Sequence, residues 1–95
     1  MINLTINEYQ QECLKTMPKN LYRGEQALMS LMGMASGSGS LLDIYSRILY
    51  DGQPLDKEEV CLQLSHLARN LAICADAFDY DLETVLNMTM SKEKE

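Results

Sequence analysis

Apolar side chains recur along this chain at steps of three and four residues, and no segment shows the alternation typical of a β-strand. The strongest pattern follows Asp56, and its members are Val60, Leu64, Leu67, Leu71, Cys74 and Phe78. Steps of four and three place these side chains along one side of a helix, as a seam that packs against other helices. The pattern therefore predicts an all-α fold.

A capping signal predicts where the first helix begins. Thr5 and Glu8 have the spacing of a capping box, in which each side chain accepts a hydrogen bond from the other residue's backbone N–H. A helix is expected from about Ile6 to Met17. Pro18 ends it, because proline disfavours helical geometry in the residue before it.

The second helix is predicted to begin near Asn20 or Leu21, but its middle is weak. Each glycine in a helix interior costs about 1 kcal/mol relative to alanine. Ser40 also has the character of a fresh N-cap. Propensity alone leaves open whether the chain bends at residues 36–39 or continues straight. The weakening glycines are Gly33, Gly37 and Gly39.

Turn signals set the remaining boundaries. Asp51–Pro54 combines a turn dipeptide with a proline, and Asp56 then caps the helix that carries the seam. Asp79–Asp81 precedes a short terminal helix. Without a long linker, residues 1–95 are expected to form a single domain of four or five helices.

Size and charge narrow the possible partners. A chain of 95 residues hides only about 60–65% of its unfolded surface, so a second chain would deepen its core. A formal charge of −6 argues against binding of a nucleic acid polymer. No apolar run approaches the roughly 18–20 residues that span a bilayer, and the amino terminus lacks a secretory pattern. We therefore predict a cytoplasmic protein without a membrane partner.

Cysteine and small-residue patterns each allow two interpretations. Cys13, Cys61 and Cys74 lie within apolar stripes, where free cysteine behaves as a small hydrophobe. Zinc binding is the weaker alternative, since His66 is off the helical face of Cys61. The Ser/Gly run 36–40 favours close packing or a flexible connection, although exposed amides ahead of a helix also attract anions.

Four segments resemble segments of one known family, in order and over nearly the whole chain. Leu4–Gln11 resembles that family's opening helix, and Met32–Ala35 resembles the lead into its glutamate motif. Leu49–Asp56 resembles its inter-helix turn, and Phe78–Val85 its Gly-Leu-Asp-Leu-Glu-Glu-Val segment. The chain thus resembles the MazG-like all-α nucleoside triphosphate pyrophosphohydrolases. The resemblance implies a MazG-like bundle that is completed as a homodimer or a dimer of dimers.

The same resemblance places four substitutions at the family's magnesium ligands. Its members usually carry Glu-x-x-Glu on the second helix and Glu-x-x-Asp on the next long one, and facing pairs of this kind converge on a cavity. Magnesium needs such an oxygen-rich, negatively charged shell. The aligned positions in this chain are Gly37, Ser40, Gln63 and His66. None of them is a carboxylate.

Two nearby residues remain as possible parts of a residual site. Asp43 matches an acid that follows the family's first motif, and Asn70 continues a polar strip with Gln63 and His66. The unperturbed pKa of histidine suits a general base, but no orienting acid or nucleophile is identifiable beside His66. We therefore expect a hydrogen-bonded or half-exposed helical histidine and assign no catalytic or metal-binding residue.

These substitutions predict a catalytically degenerate homologue that persists as a nucleotide-binding relic or as an oligomeric scaffold. No cofactor is expected. One alternative is an active, divergent pyrophosphohydrolase that binds magnesium through Asp43, Glu25 or another subunit. A further alternative is a small helical adaptor that binds a protein through its methionine-rich surface. A nucleotide or another anion remains a possible ligand.

Overall fold

The computed structural model of this chain describes residues 3–93. These residues form four α-helices and no strand, which confirms the all-α prediction for this part of the chain. The helices are α1 (Ile6–Leu14), α2 (Arg23–Asp51), α3 (Lys57–Ala77) and α4 (Leu82–Glu93). Helices α2 and α3 pack as an antiparallel hairpin, and α1 and α4 lie against α3 and each other. Within residues 3–93 no helix is long and apolar enough to cross a membrane.

The capping box before α1 is confirmed. Thr5 Oγ1 accepts a hydrogen bond from the Glu8 amide at 3.1 Å, and Glu8 Oε1 accepts one from the Thr5 amide at 2.9 Å. These backbone and side-chain hydrogen bonds with Thr5 lower the pKa of Glu8. The predicted end at Met17 is wrong, because α1 stops at Leu14. The chain then tightens into a turn, in which the Thr16 amide donates to the Cys13 carbonyl at 3.0 Å.

Helix α2 is continuous through the Ser/Gly run, so Ser40 does not begin a new helix. The helix starts at Arg23, slightly later than predicted, and the Tyr22 amide donates to Glu25 Oε1 at 3.3 Å. It ends at Gly52, whose φ of 69° is in the left-handed region that glycine tolerates. The Asp51–Pro54 break is thus confirmed.

The predicted starts of α3 and α4 are also confirmed. Asp56 Oδ1 accepts hydrogen bonds from the Glu58 amide at 3.1 Å and the Glu59 amide at 3.2 Å. Ahead of α4, Asp81 Oδ1 accepts one from the Thr84 amide at 2.8 Å. Hydrogen bonds with Thr84 lower the pKa of Asp81.

The apolar core is small and lies where α1, α3 and α4 meet. Its central residues are Cys13, Ala72, Ile73 and Leu82. The predicted seam of α3 is only partly buried, since Leu64 and Phe78 are 52% and 57% exposed. Cys61 is exposed as well, so the expectation that it packs as a small hydrophobe is wrong. Burial in α3 is concentrated at residues 72–75, close to its C-terminal end, and the first half of the helix is mostly exposed.

Two buried glutamines connect the other helices to the backbone of α3. Gln10 Nε2 donates to the carbonyls of Ala72 at 3.0 Å and Tyr80 at 3.1 Å, and its Oε1 accepts from the Leu82 amide at 3.0 Å. Gln26 on α2 donates through Nε2 to the Ile73 carbonyl at 2.9 Å. One carboxamide therefore ties α1 to α3 and to the start of α4, and the other ties α2 to α3.

We predict that Gln10→Met, which keeps the volume of the side chain, lowers the free energy of unfolding by about 2–4 kcal/mol. The reason is that it leaves buried backbone groups without partners, at about 1–3 kcal/mol for each group. Urea denaturation measures the change. Gln11→Met is the matched control, because Gln11 is exposed and a surface substitution changes stability by about 0.5 kcal/mol or less. Equal effects of the two substitutions would contradict the role of Gln10.

Candidate functional site

A cavity of about 330 Å³ lies between α2 and α3, and it brings together the four positions that align with the family's ligands. Its full lining is Gly33, Ser36, Gly37, Ser40, Gln63, His66, Arg69 and Asn70. Residues three and four apart on one helix share a side, which explains how both helices present these positions to the same space. Asp43 is not part of this lining.

Small residues form the α2 wall of the cavity. Gly37 is buried, and a Cβ built on it would lie 3.0 Å from Leu67 Cδ2 and 3.2 Å from Leu67 Cγ. A Cβ on Gly33 would lie 2.6 Å from the side-chain nitrogen and oxygen of Asn70. The two helices thus approach closely where α2 lacks side chains. This packing explains why α2 stays helical despite its glycines, since tertiary contacts outweigh propensity.

Polar side chains form the α3 wall. Gln63 Nε2 donates to Glu59 Oε1 at 3.2 Å, and Asn70 Nδ2 donates to the His66 carbonyl at 3.0 Å. Both amides are therefore oriented by their own helix. His66 is an exposed residue of the same helix.

Arg69 is the cavity residue that the sequence reasoning missed. Its Nε donates to Thr16 Oγ1 at 2.8 Å and its Nη2 to the Thr16 carbonyl at 3.4 Å, so the turn after α1 holds the guanidinium group in place. Within residues 3–93 it forms no ion pair. The signal was available, because Arg69 follows His66 by three residues and Gln63 by six, which places it beside the polar strip.

The lining does not fit magnesium. It offers hydroxyl and amide oxygens, an imidazole and a guanidinium group, but no carboxylate. Magnesium is held by carboxylates and water oxygens in a charged shell, and a guanidinium group has no lone pair to donate. Over the described part of the chain, no three His, Cys, Asp or Glu side chains are grouped so that they could hold a metal ion.

The acids that the active alternative invokes lie elsewhere. Asp43 Oδ2 is 3.2 Å from Arg47 Nε in an ion pair whose side chains are more than half exposed. Glu25 caps the start of α2 through its contact with the Tyr22 amide. Neither lines the cavity.

Comparisons with models of protein families, with characterised proteins and with solved structures give no match to this chain.

We predict that Gly37→Ala lowers the free energy of unfolding by about 1 kcal/mol. Overpacking against Leu67 costs about 1–3 kcal/mol, and the helix propensity of alanine returns about 1 kcal/mol. A double-mutant cycle with Leu67→Val checks the contact by urea denaturation, and a coupling of at least about 0.5 kcal/mol is expected. If Gly37→Ala stabilised the protein as it would an exposed helix, α2 and α3 would not be in close contact there.

Proposed function

We propose that this protein is a MazG-like homologue that has lost magnesium-dependent pyrophosphohydrolysis and serves as a homo-oligomeric scaffold. The observation that carries the first part is the cavity itself. The positions of four ligand carboxylates in the resembled family surround one space in this chain, and no acid lines that space. Without those negative charges, a magnesium ion that neutralises a triphosphate has no shell to hold it.

The packing of Leu67 against Gly37 supports the proposed loss of an acidic ligand at position 37. A glutamate at position 37 would press on Leu67, because a Cβ there lies 3.0 Å from Leu67 Cδ2. Restoring this acid is therefore best combined with a smaller residue at position 67. The surroundings of the former ligand position have become part of the contact between the two helices.

The exposed surface supports the oligomeric part of the proposal. A compact monomer of 10.8 kDa exposes about 5,500 Å², whereas this chain exposes 7301 Å². Its radius of gyration is 15.4 Å, against about 12 Å for a compact domain of this length. The excess surface is about 1,800 Å² per chain. Two copies that buried it would hide about 3,500 Å², within the range of obligate homodimers.

The outer stripe of α2 supplies a surface for this contact. We use this name for the residues Leu28, Leu31, Met32, Ala35, Leu42 and Leu49, which share the side of α2 opposite Gly33 and Gly37. The large side chains of the stripe are all exposed, from 47% for Leu31 to 68% for Leu42. Helix α2 therefore packs on α3 through one side and leaves an apolar stripe uncovered on the other.

A second copy of the chain is the occupant that we propose for the outer stripe. One stripe can face its own copy across a two-fold axis, which needs no second complementary surface. Gly39 lies in the middle of the stripe with nothing within 4 Å of a Cβ built on it, so a second helix can approach closely there. A different protein on the same stripe, as in the adaptor alternative, would leave the purified chain monomeric.

We predict no sustained pyrophosphate release when the protein is incubated with a panel of nucleoside triphosphates and magnesium. The reason is the missing negative charge around the metal. A coupled pyrophosphate assay measures turnover. Arg69→Gln serves to separate intrinsic activity from a contaminant, because a contaminating enzyme would be insensitive to it. Turnover that copurifies with the protein and is lost on this substitution would overturn the proposal.

Restoring the acids tests the site directly. We expect Gly37→Glu, Ser40→Glu, Gln63→Glu and His66→Asp, combined with Leu67→Val to make room, to create magnesium-dependent stabilisation. Magnesium at 100 times its Kd adds about 2.7 kcal/mol, which raises the Tm by several degrees. The control carries Gln at residues 37, 40 and 63 and Asn at residue 66, with the same change at residue 67. If both variants fold and respond equally to magnesium, the alignment of the cavity with a metal site is wrong.

Leu42→Glu tests the outer stripe. We expect the unmodified chain to have the mass of a dimer or of a dimer of dimers, and the variant to weaken self-association at least about 30-fold, because it buries an unpaired carboxylate. Light scattering with size-exclusion chromatography measures the mass. Met90→Glu is the matched control, since it replaces an exposed apolar residue on α4 by the same charge. A monomeric unmodified chain, or equal effects of the two variants, would rule out this interface.

A further inference from the structure

We infer that the cavity between α2 and α3 binds a phosphate-type oxyanion directly, without a metal ion. Its lining combines a guanidinium group, an imidazole, two amides and two hydroxyls, from Arg69, His66, Gln63, Asn70, Ser36 and Ser40. All of these groups can donate hydrogen bonds, and the lining itself contains no carboxylate, although Glu59 beside it accepts one hydrogen bond from Gln63. These donors suit an anion, and they do not suit magnesium, which needs oxygen ligands with negative charge.

Arg69 is the principal group of the proposed anion site. Guanidinium has five N–H donors, and the contacts with Thr16 use Nε and one donor of Nη2. The remaining donors have no protein partner within residues 3–93. Anchoring by Thr16 holds the planar fork in one orientation, so less side-chain entropy is lost when a phosphate oxygen binds. Charge-assisted hydrogen bonds of this kind are about twice as strong as neutral ones.

The acids nearest to this lining are engaged in other contacts. Glu59 accepts from Gln63 Nε2 at 3.2 Å, which fixes the amide of that residue. Glu12 shares the neighbouring cavity with His66 and Arg69, and its Oε1 lies 3.1 Å from Lys15 Nζ. Arg69 itself forms no ion pair within residues 3–93, even though Glu12 lines the neighbouring cavity with it.

The cavity is open to solvent and has room for the ligand. Its volume of about 330 Å³ suffices for a phosphate or a pyrophosphate group. The net negative charge of the chain opposes the approach of any anion, so binding depends on these local donors. Inorganic phosphate, pyrophosphate and the phosphate chain of a nucleotide all present the required oxygens.

The inference rests on the proposed function in taking the cavity as the functional site, but different experiments test the two proposals. Magnesium-dependent turnover would refute the loss of hydrolysis, whereas binding in the presence of EDTA tests whether the cavity holds an anion without a metal ion. We expect saturable binding of pyrophosphate by isothermal titration calorimetry with EDTA, at constant ionic strength. Parallel titrations with inorganic phosphate and ATP identify the source, because ATP binding alone would indicate a nucleotide and phosphate binding would indicate the free anion.

Two pairs of variants locate the site. Arg69→Gln should weaken binding about tenfold or more, since a hydrogen bond to a charged group is lost, while Arg47→Gln makes the same charge change outside the cavity and should have little effect. Ser36→Glu should weaken binding at least as much by adding a carboxylate to the lining. Its control is Ser91→Glu on α4, a helix that does not contact α2. Ser36 is exposed, so this variant should fold even if loss of the Thr16 contact destabilises Arg69→Gln.

Three results would overturn the inference. The first is the absence of saturable binding of all three probes below about 1 mM, a weak affinity for a site with several donors. The second is binding that requires magnesium. The third is equal weakening by the cavity variants and their controls, which would indicate a general charge effect.

Discussion

The hydrogen bonds from two buried glutamines to the backbone of α3 are the constraint on which the arrangement of the helices depends. Gln10 on α1 and Gln26 on α2 each donate to a carbonyl in the last turns of α3. The apolar core at this point is too small to fix three helices by itself. Because a buried amide without its partner is costly, each glutamine specifies one register of its helix against α3. The same α2–α3 hairpin carries all of the cavity lining.

The contact between Gly37 and Leu67 links that hairpin to the chemistry of the cavity. Close approach of two helices needs positions without side chains, and it stabilises a helix that propensity alone would break. A side chain added at position 37 would press on Leu67, so the same glycine provides the close contact between the helices and adds no charge to the cavity.

Much of the fold could be predicted from the sequence, because its boundary signals are local. The boundary residues contact only neighbours within a few positions in the chain. They are the N-caps Thr5 and Asp56 and the C-cap Gly52. The continuity of α2 could not be predicted in this way, since it depends on Leu67 and Asn70 in another helix. The extent of burial along the seam likewise depends on which neighbours cover Leu64 and Phe78, and spacing does not contain that information.

The site was predictable to a different degree. Helical spacing placed Gln63, His66 and Asn70 on one strip, and the structure places all three in one lining. Arg69 lies beside the same strip, but spacing does not show that the turn at Thr16 binds its guanidinium group. The family resemblance directed attention to positions without acids, whereas the contact that holds this charged group depends on the packing of α1.

A lining of hydrogen-bond donors would treat a phosphate differently from a shell of carboxylates. A carboxylate shell repels the phosphate itself and binds it only through a cation, so binding and activation of water depend on the same metal. A lining with Arg69 and His66 attracts the phosphate directly, but it provides neither a metal-bound water nor an acid to orient a base. The proposed loss of hydrolysis and the inferred anion site are therefore compatible, because both would follow from a lining without carboxylates.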